Sequence, residues 1–118
     1  MNKRAFGGEG EAAARDYLIG KGWHVLAMNY LRPTGEIDIV ATKRGIIAFI
    51  EVKRRTTDRY GRPAEAVTPA KRLRILRTAA LYIQEHHLED KRIRFDVIEL
   101  TPGGINHIEG AFDATGVF

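Results

Sequence analysis

Two apolar segments joined by a short basic turn are the feature that most restricts the fold of this 118-residue chain. Residues 35–41 read GEIDIVA and residues 46–53 read IIAFIEVK, and the turn between them ends in Arg44-Gly45. Short apolar runs joined by a turn that ends in glycine predict a β-hairpin. The second run is apolar at successive positions, so it predicts a central strand that is covered on both faces.

The register of this hairpin determines where its charged residues lie. If Arg44-Gly45 is a two-residue loop, Lys43 pairs with Ile46, and Asp38 lies directly opposite Glu51. Opposed residues share a face, as do residues two apart on one strand, so Asp38, Glu51 and Lys53 converge. A three-residue loop would place the two carboxylates on opposite faces, because a one-residue slip reverses every side chain. We prefer the two-residue loop because it gathers the charges.

Acids on so apolar a strand need a compensating charge. A buried ion that loses its partner typically costs about 3–5 kcal/mol, so a fold keeps such a group where a cation or a function compensates it. The hairpin alone is consistent with two interpretations. One is a functional site, and the other is a structural ion pair of Lys53 with Glu51 or Asp38.

The remaining sequence predicts two helices and three further strands. The predicted helices span Gly8 to Lys21 and Pro69 to His86-His87; the further strands span Trp23 to Met28, Arg92 to Leu100 and Ile105 to Ile108; loops span Asn29 to Thr34 and Arg54 to Ala66. The predicted fold class is α/β, with a mixed central sheet flanked by helices in the order α-β-β-β-α-β-β. We expect one domain that spans residues 1–118.

Basic residues are concentrated beside the hairpin. The whole chain has a formal net charge of +4, yet residues 53–77 contain nine basic and two acidic residues and the remainder is net acidic. Such a patch is typical of a protein that binds a phosphate backbone. The alternative is a solvated helix face next to a basic loop.

Composition excludes several other classes of site. The chain has no cysteine, so disulfides, thiolate metal sites and cysteine nucleophiles are excluded. No apolar run approaches the roughly 20 residues of a membrane span, and the first residues do not resemble a signal peptide. The sequence therefore predicts a cytoplasmic protein without a membrane partner.

Several motifs are spread over nearly the whole chain. They are Gly10-Glu11, Ala14, Tyr17-Leu18, Gly35-Glu36-Ile37-Asp38, Glu51-Val52-Lys53 with Arg55, Lys71, and Phe95-Asp96-Val97-Ile98. Together they resemble the YraN family of uncharacterised bacterial proteins. That family resembles the PD-(D/E)xK nucleases, in particular archaeal Holliday junction resolvases, although Ile37 stands where the motif name has proline. The resemblance implies a restriction-endonuclease-like fold and a Mg²⁺-dependent endonuclease that hydrolyses phosphodiester bonds in DNA, including structured or branched DNA.

The resemblance also implies roles for individual residues. Asp38, Glu51, Lys53 and Glu11 would be catalytic. Mg²⁺ or Mn²⁺ would be held by Asp38, Glu51, Glu11 and the Val52 carbonyl, while Lys53 would orient or help to deprotonate the attacking water. Glu11 has an alternative role as an acid in the first turn of a helix. Glu36 either joins the site or caps the exposed start of its strand.

The predicted nucleic-acid-binding residues are the cations that follow the motif. They are Arg54, Arg55, Arg59, Arg62, Lys71 and Arg74. Arg55 is the best candidate for a phosphate clamp, because a guanidinium binds two oxygens at once. For Lys71 and Arg74 the alternative is exposed helix cations. We expect Asp96 to form a structural pair with Arg94 or Arg92.

Other functions are consistent with the same residues. One is a catalytically silent nucleic-acid-binding module, and another is an interaction domain of a DNA-processing assembly. A metal-free RNA endonuclease would require a triad such as His24, Tyr60 and Lys71, whose spacing gives it no support. Resolvase-like cleavage requires two cuts, so by analogy we expect a homodimer, with another protein partner as the alternative.

Overall fold

The computed structural model describes residues 3–55 and 67–113, which form two helices and one five-stranded sheet. The elements are α1 (Lys3–Gly20), β1 (His24–Arg32), β2 (Gly35–Lys43), β3 (Ile46–Arg54), α2 (Pro69–Glu85), β4 (Arg92–Thr101) and β5 (Gly104–Phe112). This is the predicted order, and the predicted α/β fold class is confirmed. No helix within these residues is long and apolar enough to cross a membrane.

The sheet is mixed, and its strands lie in the order in which they occur in the chain. β3 and β4 are parallel, whereas the other three neighbouring pairs are antiparallel. A parallel pair needs a crossover connection, and α2 lies in the chain between these two strands. α2 is therefore the crossover connection between β3 and β4.

The hairpin of β2 and β3 has the predicted register. Lys43 pairs with Ile46, and the pairing continues to Ile39 and Ile50. The loop residues Arg44 and Gly45 have φ values of 52° and 81°. Two successive positive φ values are typical of a type I′ turn, whose twist matches the twist of the flanking strands. The three-residue loop is therefore excluded, and positions 38 and 51 face each other just beyond the last pair.

The two faces of the sheet support separate apolar clusters. The cluster that includes α1 contains Ala14, Leu18, Trp23, Ile39 and Ile50. The cluster that includes α2 contains buried side chains such as those of Val40, Phe49, Leu76, Ala79 and Tyr82. Successive residues of β3 alternate between the two clusters, so β3 is the doubly covered central strand that its sequence predicts.

Three element boundaries differ from the prediction by four or more residues. α1 begins at Lys3 rather than Gly8, despite glycines that disfavour a helix. β1 runs through the predicted loop to Arg32, since Tyr30 and Arg32 still pair with β2; Asn29 takes the left-handed φ of 53° within the strand. β5 extends to Phe112, which pairs with Phe95.

The start of α2 follows the sequence prediction. Pro69 occupies the first helical turn, and the Thr68 side chain accepts a hydrogen bond from the Lys71 N–H at 3.2 Å. This cap satisfies one of the free N–H groups at the helix start. Of the predicted loop from Arg54 to Ala66, Arg54 belongs to β3, and residues 56–66, which include Arg59, Tyr60 and Arg62, lie outside the described residues.

Candidate metal centre

β2 and β3 separate at Asp38, and this break in the sheet creates the candidate site. The ladder between the two strands ends at Ile39 and Ile50, although both strands continue. If the ladder continued in this register, the Val52 N–H would donate a hydrogen bond to the backbone carbonyl of Ile37. It donates instead to Asp38 Oδ2 at 2.8 Å. The Asp38 carboxylate thus replaces a backbone acceptor at the point where the strands part.

The same break directs the Val52 carbonyl toward the site. In an extended strand the N–H and C=O of one residue point toward the same neighbouring strand. Because the Val52 N–H points to the Asp38 side chain of β2, its carbonyl is directed to the same side. The carbonyl that the family resemblance implies as a metal ligand therefore faces the opening between β2 and β3.

Three carboxylates gather at the break. One oxygen each from Glu11, Glu36 and Asp38 lies within 4.8 Å of the other two. Glu11 comes from α1 and the other two from β2, so a helix and a strand meet here. We call these three residues the acidic cluster. Of the two roles predicted for Glu36, its position within the cluster matches the one inside the site.

Glu51 is adjacent to the acidic cluster. Its side chain is only 8% exposed, and its charge acts on Asp38. Burial, followed by the negative charge of Glu51, raises the pKa of Asp38 to about 8, although the Val52 N–H opposes the shift. Glu11 adds a weaker effect in the same direction. A buried carboxyl with other acids as neighbours favours a bound proton or a bound cation.

A basic side chain of α2, that of Lys71, is paired with one of these acids. Its Nζ forms a salt bridge with Glu51 Oε1. The sequence predicted Lys71 as a nucleic-acid-binding residue, with an exposed helix cation as the alternative, and it offered an ion pair of Lys53 with Glu51 or Asp38. Lys53 is half-buried on the same face of β3 as Glu51, and within the described residues it forms no salt bridge.

The other predicted cations have different surroundings. Arg54 is exposed and lines the same cavity as Asp38 and Glu51. Arg55 donates from Nε to Glu99 Oε2 at 3.0 Å, and Glu99 is fully buried. The Arg55 guanidinium, predicted as a phosphate clamp, thus holds a buried acid. Arg74 is exposed on α2.

One cavity is lined by three of the acids, and a second cleft adjoins it. The first is a cavity of about 260 Å³. It is lined by Gly10, Glu11, Asp38, Glu51, Val52, Arg54 and Leu100. A second cleft of about 510 Å³ shares Gly10, Arg54 and Leu100 with it and continues toward Ile105. The carboxylates are therefore accessible from a surface that also carries arginine.

Fold and site together define an α/β protein with a carboxylate cluster beside a break in a mixed sheet. The chain belongs to the family described as "Uncharacterised protein family UPF0102", which matches residues 10–100. This confirms the predicted resemblance to the YraN family. The matched segment includes Glu11, Glu36, Asp38 and Glu51.

Relatives from distant bacteria match most of the chain. It is 44% identical over 100 residues to a UPF0102 protein of Symbiobacterium thermophilum, covering 85% of each chain. It is 44% identical over 114 residues to one of Clostridioides difficile, covering 95% of this chain and 100% of the relative. A UPF0102 protein of Myxococcus xanthus is 38% identical over 116 residues, or 95% of this chain and 92% of the relative.

Proposed function

We propose that this protein is a metal-dependent nuclease that hydrolyses phosphodiester bonds in DNA. The observation that carries the proposal is the acidic cluster beside buried Glu51, at a break in the sheet. Its donors are all oxygen atoms, the ligand type that Mg²⁺ and Mn²⁺ prefer. The raised pKa of Asp38 is a second sign that the site favours a cation. The residues present therefore fit the metal that the family resemblance implies.

In the proposed mechanism, the acids of the site hold the metal ion. Asp38, Glu51 and Glu11 bind the cation, with Glu36 and the Val52 carbonyl as further oxygen donors. When bound, the cation polarises a phosphoryl oxygen and lowers the pKa of a coordinated water.

Two groups of cations in the chain would assist this chemistry. The Lys53 ammonium orients the attacking water and offsets charge on the phosphate. Exposed Arg54 and Arg74 hold the nucleic-acid backbone by charge, together with the other cations of residues 53–77.

A cleavage panel tests the proposal. Purified protein is incubated with single-stranded, duplex, flapped and four-way DNA, and with RNA, in Mg²⁺, Mn²⁺ or EDTA. We expect cleavage that requires metal and that falls at least about a hundredfold in the double variant Asp38→Asn, Glu51→Gln. The matched control is Glu89→Gln, Asp90→Asn, which makes the same chemical changes at exposed positions between α2 and β4.

Two results would count against the nuclease. One is the absence of cleavage on every substrate in both metals. The other is undiminished cleavage by the Asp38→Asn, Glu51→Gln variant, since the proposed site would then not catalyse the reaction. Cleavage that persists in EDTA would instead favour metal-free chemistry.

A catalytically silent nucleic-acid-binding module is the second candidate. The salt bridge between Lys71 and Glu51 favours it, because an ammonium already neutralises one of the carboxylates. This module would bind DNA with an affinity that falls as salt rises, and it would cleave nothing in either metal. The cleavage panel, together with DNA binding measured by fluorescence anisotropy at several salt concentrations, therefore separates the two candidates.

A further inference from the structure

Glu51 is a buried acid whose partner comes from a distant part of the chain. It lies opposite Asp38 in the hairpin register, and its side chain is 8% exposed. Its salt-bridge partner, Lys71, lies in the first turn of α2, which follows residues 56–66 in the chain. A cation from the crossover helix therefore reaches into a site that is otherwise built by α1 and the hairpin.

Lys71 belongs to a helix that is packed against the start of β2. The Lys71 N–H donates to the Thr68 cap at 3.2 Å. Further along α2, the Thr78 and Thr34 hydroxyls are 2.7 Å apart. Gly35 allows a close approach, since a Cβ there would lie 3.2 Å from Thr78 Oγ1. These contacts fix where the Lys71 side chain begins.

The ammonium end of Lys71 is less confined than its backbone. Its side chain is 35% exposed, and an ammonium on a flexible four-carbon stem has no fixed bonding direction. The pair of Arg55 with Glu99 differs, because Glu99 is fully buried and also accepts from Asn106 at 3.4 Å. The Glu99 carboxylate is enclosed, whereas the Lys71 ammonium is at the end of a partly exposed, flexible side chain.

We propose that Lys71 is a resident counter-ion of the metal site. It neutralises Glu51 while no divalent cation is bound, and it releases that carboxylate when a cation binds. The freed ammonium then contacts the phosphate of the substrate, which approaches the same cavity. This inference rests on the proposed nuclease function, and it adds Lys71 to the residues that touch the substrate.

Mg²⁺ affinity measured by calorimetry tests the exchange without any need for activity. In molecules in which Lys71 is paired with Glu51, that carboxylate cannot bind metal. The apparent Mg²⁺ affinity is therefore the intrinsic affinity multiplied by the fraction of molecules in which the pair is open. We therefore expect Lys71→Met to bind Mg²⁺ roughly threefold to tenfold more tightly than the unaltered protein. Lys71→Gln, which keeps a hydrogen-bond donor without the charge, should behave in the same way. Lys91→Met makes the matched change at an exposed position before β4 and should leave the affinity unchanged.

Thermal unfolding gives a second readout. In EDTA, Lys71→Met should lower the midpoint by several degrees, since Glu51 loses its counter-charge, and saturating Mg²⁺ should restore most of the loss. Lys71→Arg should keep the midpoint near that of the unaltered protein.

The possible failures can be told apart. If the unaltered protein binds Mg²⁺ and Lys71→Met and Lys71→Gln bind it equally or more weakly, the exchange is wrong and the nuclease proposal stands. If the unaltered protein binds no Mg²⁺ and cleaves nothing, the nuclease proposal fails and the exchange fails with it. A tighter Mg²⁺ affinity in both variants, with no change in Lys91→Met, supports the exchange.

Discussion

Asp38 and Asp96 make the same kind of contact with the backbone. Asp38 accepts from the Val52 N–H at 2.8 Å, where β2 leaves the ladder with β3. Asp96 accepts from the Gly110 N–H at 3.0 Å, where the register of β4 with β5 shifts. In both places an aspartate side chain accepts a hydrogen bond from a backbone N–H at an irregularity of the sheet.

The two aspartates differ in the charge of the side chains around them. Asp96 accepts two hydrogen bonds from Arg94, at 2.9 and 3.0 Å, which confirms the predicted pair, and it contacts His107 at 2.8 Å. Burial alone would raise the pKa of Asp96, but the hydrogen bonds from His107, Arg94 and Gly110 hold it below its usual value. Asp38 has acids as neighbours, and burial and Glu51 raise its pKa. Asp96 is therefore compensated by cations within the fold, whereas Asp38 has the raised pKa that is typical of functional sites.

The raised pKa of Asp38 predicts how stability depends on pH without metal. Between its ordinary value of 3.8 and its folded value of about 8, the unfolded chain releases a proton that the folded protein keeps. Raising the pH across this window therefore favours unfolding through Asp38, and above it the effect is constant. Asp38→Asn should remove this contribution and raise the free energy of unfolding near neutral pH, as measured by urea titration in EDTA.

Asp96→Asn serves as the contrasting variant in these titrations. It leaves the Arg94 guanidinium without its buried anion, so it should lower the free energy of unfolding by about 3–5 kcal/mol. Equal losses in the two variants would contradict the distinction between a compensated and an uncompensated carboxylate.

At the scale of elements, the packing of α2 on β2 brings the helix to the site. Gly35 has a φ of 150° and faces the helix, where a Cβ would lie 3.2 Å from Thr78 Oγ1 and 3.3 Å from Arg74 Cβ. Neither neighbour can move far, because Thr78 is fully buried and its hydroxyl also donates to the Arg74 carbonyl at 2.8 Å. The start of β2, which carries Glu36 and Asp38, is thus pressed against the helix that carries Lys71.

Gly35→Ala should disturb this packing. We expect it to lower the free energy of unfolding by about 1–3 kcal/mol, because an added methyl group forces the helix or the strand to shift. Gly104→Ala is the matched control, since Gly104 also has a positive φ, of 131°, and a Cβ there meets no atom within 4 Å. Urea titration compares the two variants, and a Gly35→Ala protein as stable as Gly104→Ala would show that the packing there is loose.

On the scale of the whole molecule, the candidate site combines residues from four elements at one end of the sheet. Glu11 belongs to α1, Asp38 to β2, Glu51 to β3 and Lys71 to α2. β3 and β4 are parallel, with Ile46 paired to Arg92 at one end and Arg54 paired to Leu100 at the other. The acids and Arg54 therefore lie at the end of β3, and Lys91 and Arg92 lie near its beginning.

This separation allows a test of where nucleic acid binds. Replacing Arg54 and Arg74 by glutamine should weaken the binding of duplex DNA and reduce the slope of log K against log salt by about 0.9 for each phosphate that the protein no longer neutralises. The matched control replaces Lys91 and Arg92 by glutamine at the opposite end of the sheet. Fluorescence anisotropy between about 50 and 200 mM salt measures both slopes. A larger reduction in the control would place the DNA at the other end.

The predicted homodimer is a separate property of the whole molecule. Sedimentation equilibrium of the free protein and of its complex with four-way DNA measures the number of copies directly. The expectation follows from the two cuts of a resolvase-like reaction and stays a prediction.

Sequence alone determined the order of the elements and limited the hairpin to two registers, and the structure has the preferred one, in which Asp38 lies opposite Glu51. These features depend on residues close in the chain, since turn chemistry at Arg44-Gly45 and the apolar runs fix the pairing locally. Only the tertiary structure decided that Glu36 joins the acidic cluster and that Lys71 pairs with Glu51. Such pairings depend on how a helix packs across a sheet, and no local pattern in the sequence specifies the height or rotation of that helix.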